Sequence, residues 1–269
     1  MTAPLLADRH RGVLRLTLNR PDVRNAFNGD LIEALVAALE EARADDAVRV
    51  IVLGGAGASF CAGADLAWMK SLAARGAAQN GEDARHMAGL FGLVEGHDKP
   101  VIGRIHGAAI GGGVGLVAAC DIPIAEAGTK FAFTEVRLGM APAVISPFVV
   151  RRIGVGAARQ LFVTGERFDA VEAHRIGLVN KVAHGEAALD SAVDEVASQI
   201  AKGGPRAVVA CKRLARTVLG MAPAEATSHT AALIAELRAS AEGQEGMRAF
   251  LTRDDPAWVK ALDADGEGT

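Results

Sequence analysis

Two glycine-rich segments stand about fifty residues apart, Ser59-Phe60-Cys61-Ala62-Gly63-Ala64-Asp65-Leu66 and Ile110-Gly111-Gly112-Gly113-Val114-Gly115-Leu116. Residues this small let a substrate come within hydrogen-bonding distance of the main chain. Two backbone N–H groups aimed at one oxygen would stabilise the oxyanion formed when a carbonyl is polarised, and that chemistry needs aimed donors more than reactive side chains. Glu135, some twenty residues after the second segment, is the candidate acid/base. Either segment alone is weak evidence, because Gly-Ala-Asp is common in loops and a glycine cluster can serve close strand–helix packing alone. The pair gains force from order and neighbours: each follows an apolar run and precedes a helix, whose N-terminus adds partial positive charge.

The elements that must position these residues are legible from periodicity. Val13 to Leu18 alternates as a strand and is broken by Asn19-Arg20-Pro21-Asp22. Asn28 is placed to cap a helix from Gly29 to Ala44, with Leu31, Leu35 and Leu39 at four-residue spacing. Val48 to Leu53 is β-branched like a parallel strand covered on both faces, ended by Gly54-Gly55-Ala56-Gly57. Asp65 is placed to cap a short helix from Leu66 to Met69, and the polar, alanine-rich stretch from Lys70 to Gly96 predicts helix. Pro100 to Ile105 predicts the next strand, Val114 to Ala119 a short helix, and Ile122 to Ala125 and Phe131 to Phe133 two short strands before Glu135. Helices are expected from Ser146, from Gly154 and from Asp169, the last ending at Gly177, and the chain from Glu186 to Gly243 is helical in period.

Composition bounds the function classes. With 269 residues, half of them hydrophobic, the chain can bury a full core. A net charge of -3 gives no overall field that would hold nucleic acid or an anionic membrane, although a local basic patch stays open. The N-terminus meets charge within a few residues and lacks the apolar stretch of a signal peptide, and no segment is apolar enough to span a bilayer. Three cysteines without a C-x-x-C pair suit free thiols in a reducing compartment, so a cytoplasmic protein is expected. Tyrosine is absent, which excludes a tyrosine acid and a Tyr-Lys dehydrogenase pair. None of the seven histidines has a zinc-ligand spacing, so no metal is expected; His106, beside the glycine cluster, is expected to be a packed, hydrogen-bonded residue. Cys61 has no recognisable base and is expected to be a buried thiol. Trp68, Met69 and Phe148 would line a pocket or fill core.

Gly113-Val114-Gly115-Leu116-Val117-Ala118 satisfies G-x-G-x-x-A, and Glu135 lies where a dinucleotide fold would place its ribose acid. Seven residues separate Ile105 from Gly113, however, where that fingerprint needs the turn directly after the strand, and no second nucleotide-binding half follows.

A set of segments in fixed order carries a resemblance: Asn19-Arg20-Pro21 with Arg24-Asn25-Ala26-Phe27, the two glycine segments with His106-Gly107, Ala119-Cys120-Asp121-Ile122, and Thr134-Glu135-Val136-Arg137-Leu138-Gly139. Together they resemble the crotonase (enoyl-CoA hydratase/isomerase) superfamily over nearly the whole chain. The resemblance implies an α/β fold, a crotonase spiral of strand-strand-helix repeats. Residues 1–200 would form the core for CoA-ester binding and catalysis, and residues 201–269 a helical C-terminal trimerisation region. It implies a homotrimer or hexamer and an acyl-CoA thioester substrate, with no separate cofactor because coenzyme A is part of the substrate. The thioester oxygen would accept hydrogen bonds from the N–H groups of Ala64 and Gly112, with Glu135 as catalytic carboxylate. Arg24, Ala26, Ala62, Asp65 and Leu66 would contact the CoA, Arg253 would reach a neighbouring subunit's CoA, and Gly115 would border the acyl group.

Gly115 marks a departure. Hydratases of that superfamily typically carry a second glutamate three residues after the glycine donor, where this chain has Gly115. A single glutamate suits an isomerase, which shuttles one proton between two carbons, a non-catalytic CoA-thioester binder, or a hydratase whose substrate disfavours a second carboxylate. The segments around Gly115 and Glu135 resemble the bacterial methylglutaconyl-CoA hydratase-like branch, which works in leucine or related branched-chain breakdown. A substrate carrying its own distal carboxylate would be repelled by a second buried glutamate, and Gly115 is expected also to free volume beside C2 and C3. A dienoyl-CoA isomerase would carry an aspartate near Ala143, where this chain has none.

Overall fold

Residues 3–73 and 76–266 are described in the computed structural model. The strands are β1 (Leu5–His10), β2 (Val13–Leu18), β3 (Val50–Gly55), β4 (Val101–Ile105), β5 (Ala108–Ile110), β6 (Ile122–Glu126), β7 (Lys130–Ala132), β8 (Arg167–Asp169) and β9 (Lys181–Ala183). The helices around them are α1 (Gly29–Ala44), α2 (Leu66–Ala73), α3 (Ala77–Gly96), α4 (Gly112–Ala119), α5 (Ser146–Thr164), α6 (Ala170–Arg175) and α7 (Glu186–Lys202). Four more end the described chain: α8 (Pro205–Thr217), α9 (Pro223–Ala239), α10 (Ala241–Thr252) and α11 (Ala257–Gly266).

One sheet has the order β1-β2-β3-β4-β6-β9, parallel throughout except for the β1–β2 hairpin. A second sheet, β5-β7-β8, takes the strand that follows β4 and the strand that follows β6. Cys61, after β3, bridges Ala109 of β5 in the parallel sense and so starts this second sheet one turn earlier. The chain therefore winds as a spiral: β3, Cys61, helix; β4, β5, helix; β6, β7, helix. The larger sheet keeps chain order without reversal, so it lacks the switch-point crevice in which a doubly wound sheet binds a dinucleotide.

The larger sheet is covered on both faces, as its β-branched composition predicts. Ile51, Leu53, Val101 and Ile105 face a core shared with Leu31, Leu35 and Leu39 of α1, whereas Val50, Val52, Ile102 and Ile124 pack against Leu189, Val193 and Ala197 of α7. Asn28 caps α1 through Leu31 N–H at 3.0 Å. Gly154, at φ 75° and ψ 164°, kinks α5, so the two helices expected from Ser146 and Gly154 abut without a loop. β3 is shifted relative to expectation: Gly54 and Gly55 continue the ladder opposite Thr17 and Leu18 instead of ending it. The Gly55 position admits no side chain, since a Cβ there would lie 2.5 Å from Phe60 O and 2.8 Å from Asn25 Nδ2. β1 was not expected from the sequence; it is an exposed, polar edge strand turned back through Arg11 and Gly12, both at positive φ.

After α7 the chain leaves the sheet at Gly203-Gly204. α8 is held to the spiral by Lys212, whose ammonium lies 2.7 Å from Asp121; the same carboxylate accepts the Val101 N–H at 2.7 Å. α11 returns to α7, with Trp258 Nε1 donating to Lys202 O at 3.0 Å.

The register between spiral turns depends on main-chain contact at Gly113, where a Cβ would fall inside van der Waals range of Cys61 O and 3.1 Å from Cys61 C. Gly113→Ala should therefore lower the unfolding free energy by about 3 kcal/mol, because the obstructing atoms are backbone that no rotamer change can move. Urea denaturation followed by circular dichroism measures this; a loss below about 0.5 kcal/mol would show that the turns can separate at no cost.

Candidate active site

Each of three consecutive turns delivers one expected catalytic element just past its strand in the smaller sheet. Cys61 N–H donates to Ala108 O at 3.1 Å and Ile110 N–H to Cys61 O at 3.0 Å, which sets the first glycine segment beside the second. Gly111 N–H donates to Ala132 O at 2.9 Å, which ties the second segment to the end of β7 and to Glu135 beyond it.

Gly111 has φ 51° and ψ -117°, a conformation open to glycine and strained for any L side chain. That turn makes Gly112 the first residue of α4, where its N–H has no partner within the helix. Ala64 is fixed from the other side. Phe27 N–H donates to Gly63 O at 2.7 Å and Asp65 N–H donates to Phe27 O at 2.9 Å. In such a parallel bridge the middle residue turns its own N–H away from the pairing strand, so the Ala64 donor is available to something other than Phe27. Gly63, at φ 90°, brings the segments together: a Cβ there would be 2.8 Å from Ile110 O and 3.7 Å from Gly112 N.

Glu135 lies in a short 3₁₀ helix (Thr134–Leu138) closed by Gly139 at φ 72°, and its carbonyl accepts the Met140 N–H at 3.0 Å. Its carboxylate reaches back to the second segment, where a Gly111 Cβ would be 2.9 Å from Oε1. Oε2 is buried and has no hydrogen-bond partner among the described residues. Burial raises the Glu135 pKa above the ordinary carboxylate value, opposed only by a backbone N–H. An under-solvated carboxylate of this kind is a proton acceptor awaiting a partner.

The residues expected to contact CoA fall into two groups. Arg24, Ala26, Ala62, Asp65 and Leu66 lie together around the first segment. Arg24 is exposed and left-handed at φ 52°, with its carbonyl accepting the Ala62 N–H at 2.9 Å; Ala26 is buried, and Leu66 is exposed. Burial opposes the Asp65 charge, but the N–H groups of Trp68 and Ala67 and the Arg20 guanidinium, 3.0 Å away, hold its pKa below the ordinary value. Its caps on Ala67 and Trp68 fit the structural role expected of it. Arg253 stands elsewhere, as the left-handed cap of α10 at φ 55°, and among the described residues no hydrogen bond or ion pair joins it to either glycine segment.

The volume expected at Gly115 is not there. Gly115 is buried, and a Cβ would clash with Ile145 Cγ2, lie 2.9 Å from Ile145 Cβ and 3.2 Å from Phe91. Ile145, thirty residues further on, fills the place that glycine vacates, so an apolar wall and no free space stands beside Gly115. Neither Ile145 nor Phe91 was signalled by the sequence, because their contact with Gly115 is set by how α5 and α3 pack on α4. Gly111 was within the recognised cluster, but its part in admitting the Glu135 carboxylate depends on the spiral. His106 is packed as expected: the Arg104 guanidinium, always a donor, approaches Nδ1 at 3.3 Å, so the proton sits on Nε2, which donates to Gly57 O at 2.8 Å. Burial pushes the Cys61 thiol up to about 12, which leaves it protonated and unsuited as a nucleophile. Phe148 is core, and Trp68 packs against that core.

Gly111→Ala keeps every side chain of the site but adds strain and drives the Glu135 carboxylate from its place; turnover should fall by about a hundredfold. Steady-state kinetics measures this, and activity within threefold of wild type would show that Glu135 does not work from the observed position.

A sequence profile of the enoyl-CoA hydratase/isomerase family matches residues 8–261. The crotonyl-CoA hydratase of Syntrophomonas wolfei is 35% identical over 251 residues, covering 93% of this chain and 95% of the relative. The 2,3-dehydroadipyl-CoA hydratase of Escherichia coli is 33% identical over 253 residues, covering 94% and 97%. Among solved structures, AtuE of Pseudomonas aeruginosa superimposes with a TM-score of 0.92 at 38% identity, covering 95% of this chain and 99% of that one. The chain belongs to the enoyl-CoA hydratase/isomerase family, the crotonase superfamily, and is an enzyme of the hydro-lyase class.

Proposed function

We propose that the enzyme adds water across the double bond of a short, branched 2-enoyl-CoA, with 3-methylglutaconyl-CoA as the favoured substrate type, in leucine or related branched-chain breakdown. The observation that carries this reading is the Glu135 carboxylate, whose buried Oε2 has no hydrogen-bond partner among the described residues, on the turn next to the Gly112 donor. The N–H groups of Ala64 and Gly112 hold the thioester oxygen. Glu135 accepts a proton from a water whose oxygen bonds to C3, electron density moves through C2 onto the thioester oxygen, and the enolate then recovers a proton at C2 from the Glu135 carboxylic acid. Hydrogen and hydroxyl are thus delivered by one group, to one face. Each oxyanion donor supplies roughly 3 kcal/mol of transition-state stabilisation, so the two amides together outweigh a typical acid/base contribution of two to four powers of ten.

The substrate preference rests on charge. Gly115 under Ile145 leaves an uncharged wall where a second glutamate would repel a distal carboxylate. The CoA lies along Arg24, Ala26, Ala62, Asp65 and Leu66. Leu219, Phe250 and Leu251 are 90%, 84% and 80% exposed on the helical end, and a homotrimer or hexamer in the cytoplasm would bury such residues and let Arg253 approach a neighbouring CoA. No helix among the described residues is long and apolar enough to cross a membrane.

One panel tests the reaction: crotonyl-CoA, 3-methylglutaconyl-CoA, 2,3-dehydroadipyl-CoA and a 3-enoyl-CoA, followed for hydration and for double-bond migration. Hydration fastest on the methylglutaconyl ester is expected. Migration alone would make the enzyme an isomerase, and tight acyl-CoA binding without turnover would make it a binder. Gly115→Glu tests the repulsion only when combined with Ile145→Gly, which removes both Ile145 contacts. That double variant should gain on crotonyl-CoA and lose on the dicarboxylic esters; a parallel gain on both would remove the electrostatic argument.

The Glu135 pKa gives two further expectations. The base must be ionised, so kcat/KM should fall as pH drops through a pKa above the ordinary carboxylate value, with a single carboxylate limb in the profile. Because that pKa is raised on folding, the favourable contribution is present at low pH and lost as pH rises through it. Glu135→Gln should therefore lower turnover by at least a hundredfold yet raise Tm at neutral pH, with the Tm gain vanishing on acidification. A Tm difference independent of pH would show that the carboxylate is not strained by burial.

A further inference from the structure

We infer that the segment Asn25-Ala26-Phe27 is the spacer that sets the distance between the two oxyanion donors, with Asn25 and Phe27 as positioning residues; this rests on the assignment of Ala64 and Gly112 proposed above. Phe27 is bound to both donors' surroundings. Its backbone bonds to the residues on either side of Ala64, through Gly63 O at 2.7 Å and Asp65 N at 2.9 Å. Its fully buried ring lies against the other donor, where a Gly112 Cβ would be 3.3 Å from two of its atoms. Behind that ring stands Phe91, edge-on at 6.2 Å and 87°, which also packs on Gly115. One residue therefore bridges the two spiral turns at the level of the two N–H groups.

Asn25 holds that residue in place. It is 0% exposed, and its side chain makes three hydrogen bonds: Oδ1 accepts Arg20 N–H at 2.8 Å, and Nδ2 donates to Ala56 O at 2.9 Å and Ser59 O at 2.8 Å. These bonds tie the loop before Phe27 to the loop before Cys61. The backbone at this point is strained, since Arg24 and Asn25 are consecutive left-handed residues at φ 52° and 56°. In that conformation Arg24 O accepts the Ala62 N–H at 2.9 Å. Asparagine enters the left-handed region more readily than arginine does, and the buried staple holds this pair there. Asn25 touches no substrate; it acts through Ala62, Gly63 and Phe27 on the donor at Ala64.

The test uses Asn25→Gly, which keeps left-handed freedom and removes the staple, and Phe27→Leu, which keeps every backbone bond and shortens the spacer. In each variant kcat for the preferred ester should fall ten- to a hundredfold, with KM within about twofold, as expected for a donor misplaced by a fraction of an ångström to an ångström. A second readout separates positioning from fold support. Crotonyl-CoA carrying a ¹³C thioester carbonyl is bound to the Glu135→Gln enzyme with and without each change, and its carbonyl stretch is read by difference infrared spectroscopy. Glu135→Gln alone should shift the band to lower frequency, and each added change should reverse part of that shift. Variants that lower Tm but keep both kcat and the shift would overturn the inference, and if Asn25→Gly does not fold, Phe27→Leu decides it. Absence of any shift in the Glu135→Gln parent would instead overturn the oxyanion assignment, and the inference with it.

Discussion

The main-chain pairing of Cys61 between Ala108 and Ile110 is the constraint on which the rest of the site depends. It locks one turn of the spiral against the next at the point where both chains leave the smaller sheet. From there each segment runs into a helix, α2 capped by Asp65 and α4 opened by Gly112. β7 continues the pairing and brings Glu135 to that edge as well. Rigid backbone suits this purpose, since an amide fixed at both flanks by neighbouring hydrogen bonds needs no reorganisation when charge develops on a substrate oxygen.

Glycine supports this arrangement at three positions for three reasons. Gly113 lets one turn approach the carbonyl of the last, Gly63 closes the gap to Ile110 and Gly112, and Gly111 supplies a turn that a side chain would strain and makes way for the Glu135 carboxylate. Glu135 itself is held against its own stability. Burial opposes its charge, and Oε2 has no hydrogen-bond partner among the described residues. Groups placed so are expected where a site must keep a base under-satisfied until substrate and water arrive.

The chemistry-bearing segments were visible from their types: small residues between an apolar run and a helix, a lone acid at the right distance, and a capping asparagine and aspartate that behave as caps. Strands with strong β-branched composition were equally visible. Of the three-residue strands only β7 was visible, from its Phe131-Ala132-Phe133 run; β5, β8 and β9 are too short to carry periodicity and exist through pairing with distant partners. β3 was misplaced by two residues for the same kind of reason, since pairing with β2 overrides the low strand preference of Gly54 and Gly55.

By itself, then, the sequence determined which residues could polarise a carbonyl and move a proton, because residue type and local backbone freedom are properties of the chain. Its resemblance to the family also marked Gly115 as the place where related hydratases carry a second carboxylate. The tertiary structure alone decided what stands in its place. Ile145 reaches Gly115 only through the packing of α5 on α4, so an expected opening became a wall. Phe27, likewise, touches both glycine segments only because the spiral stacks two turns that lie some fifty residues apart in the chain, a separation across which side-chain contact leaves no local pattern to read.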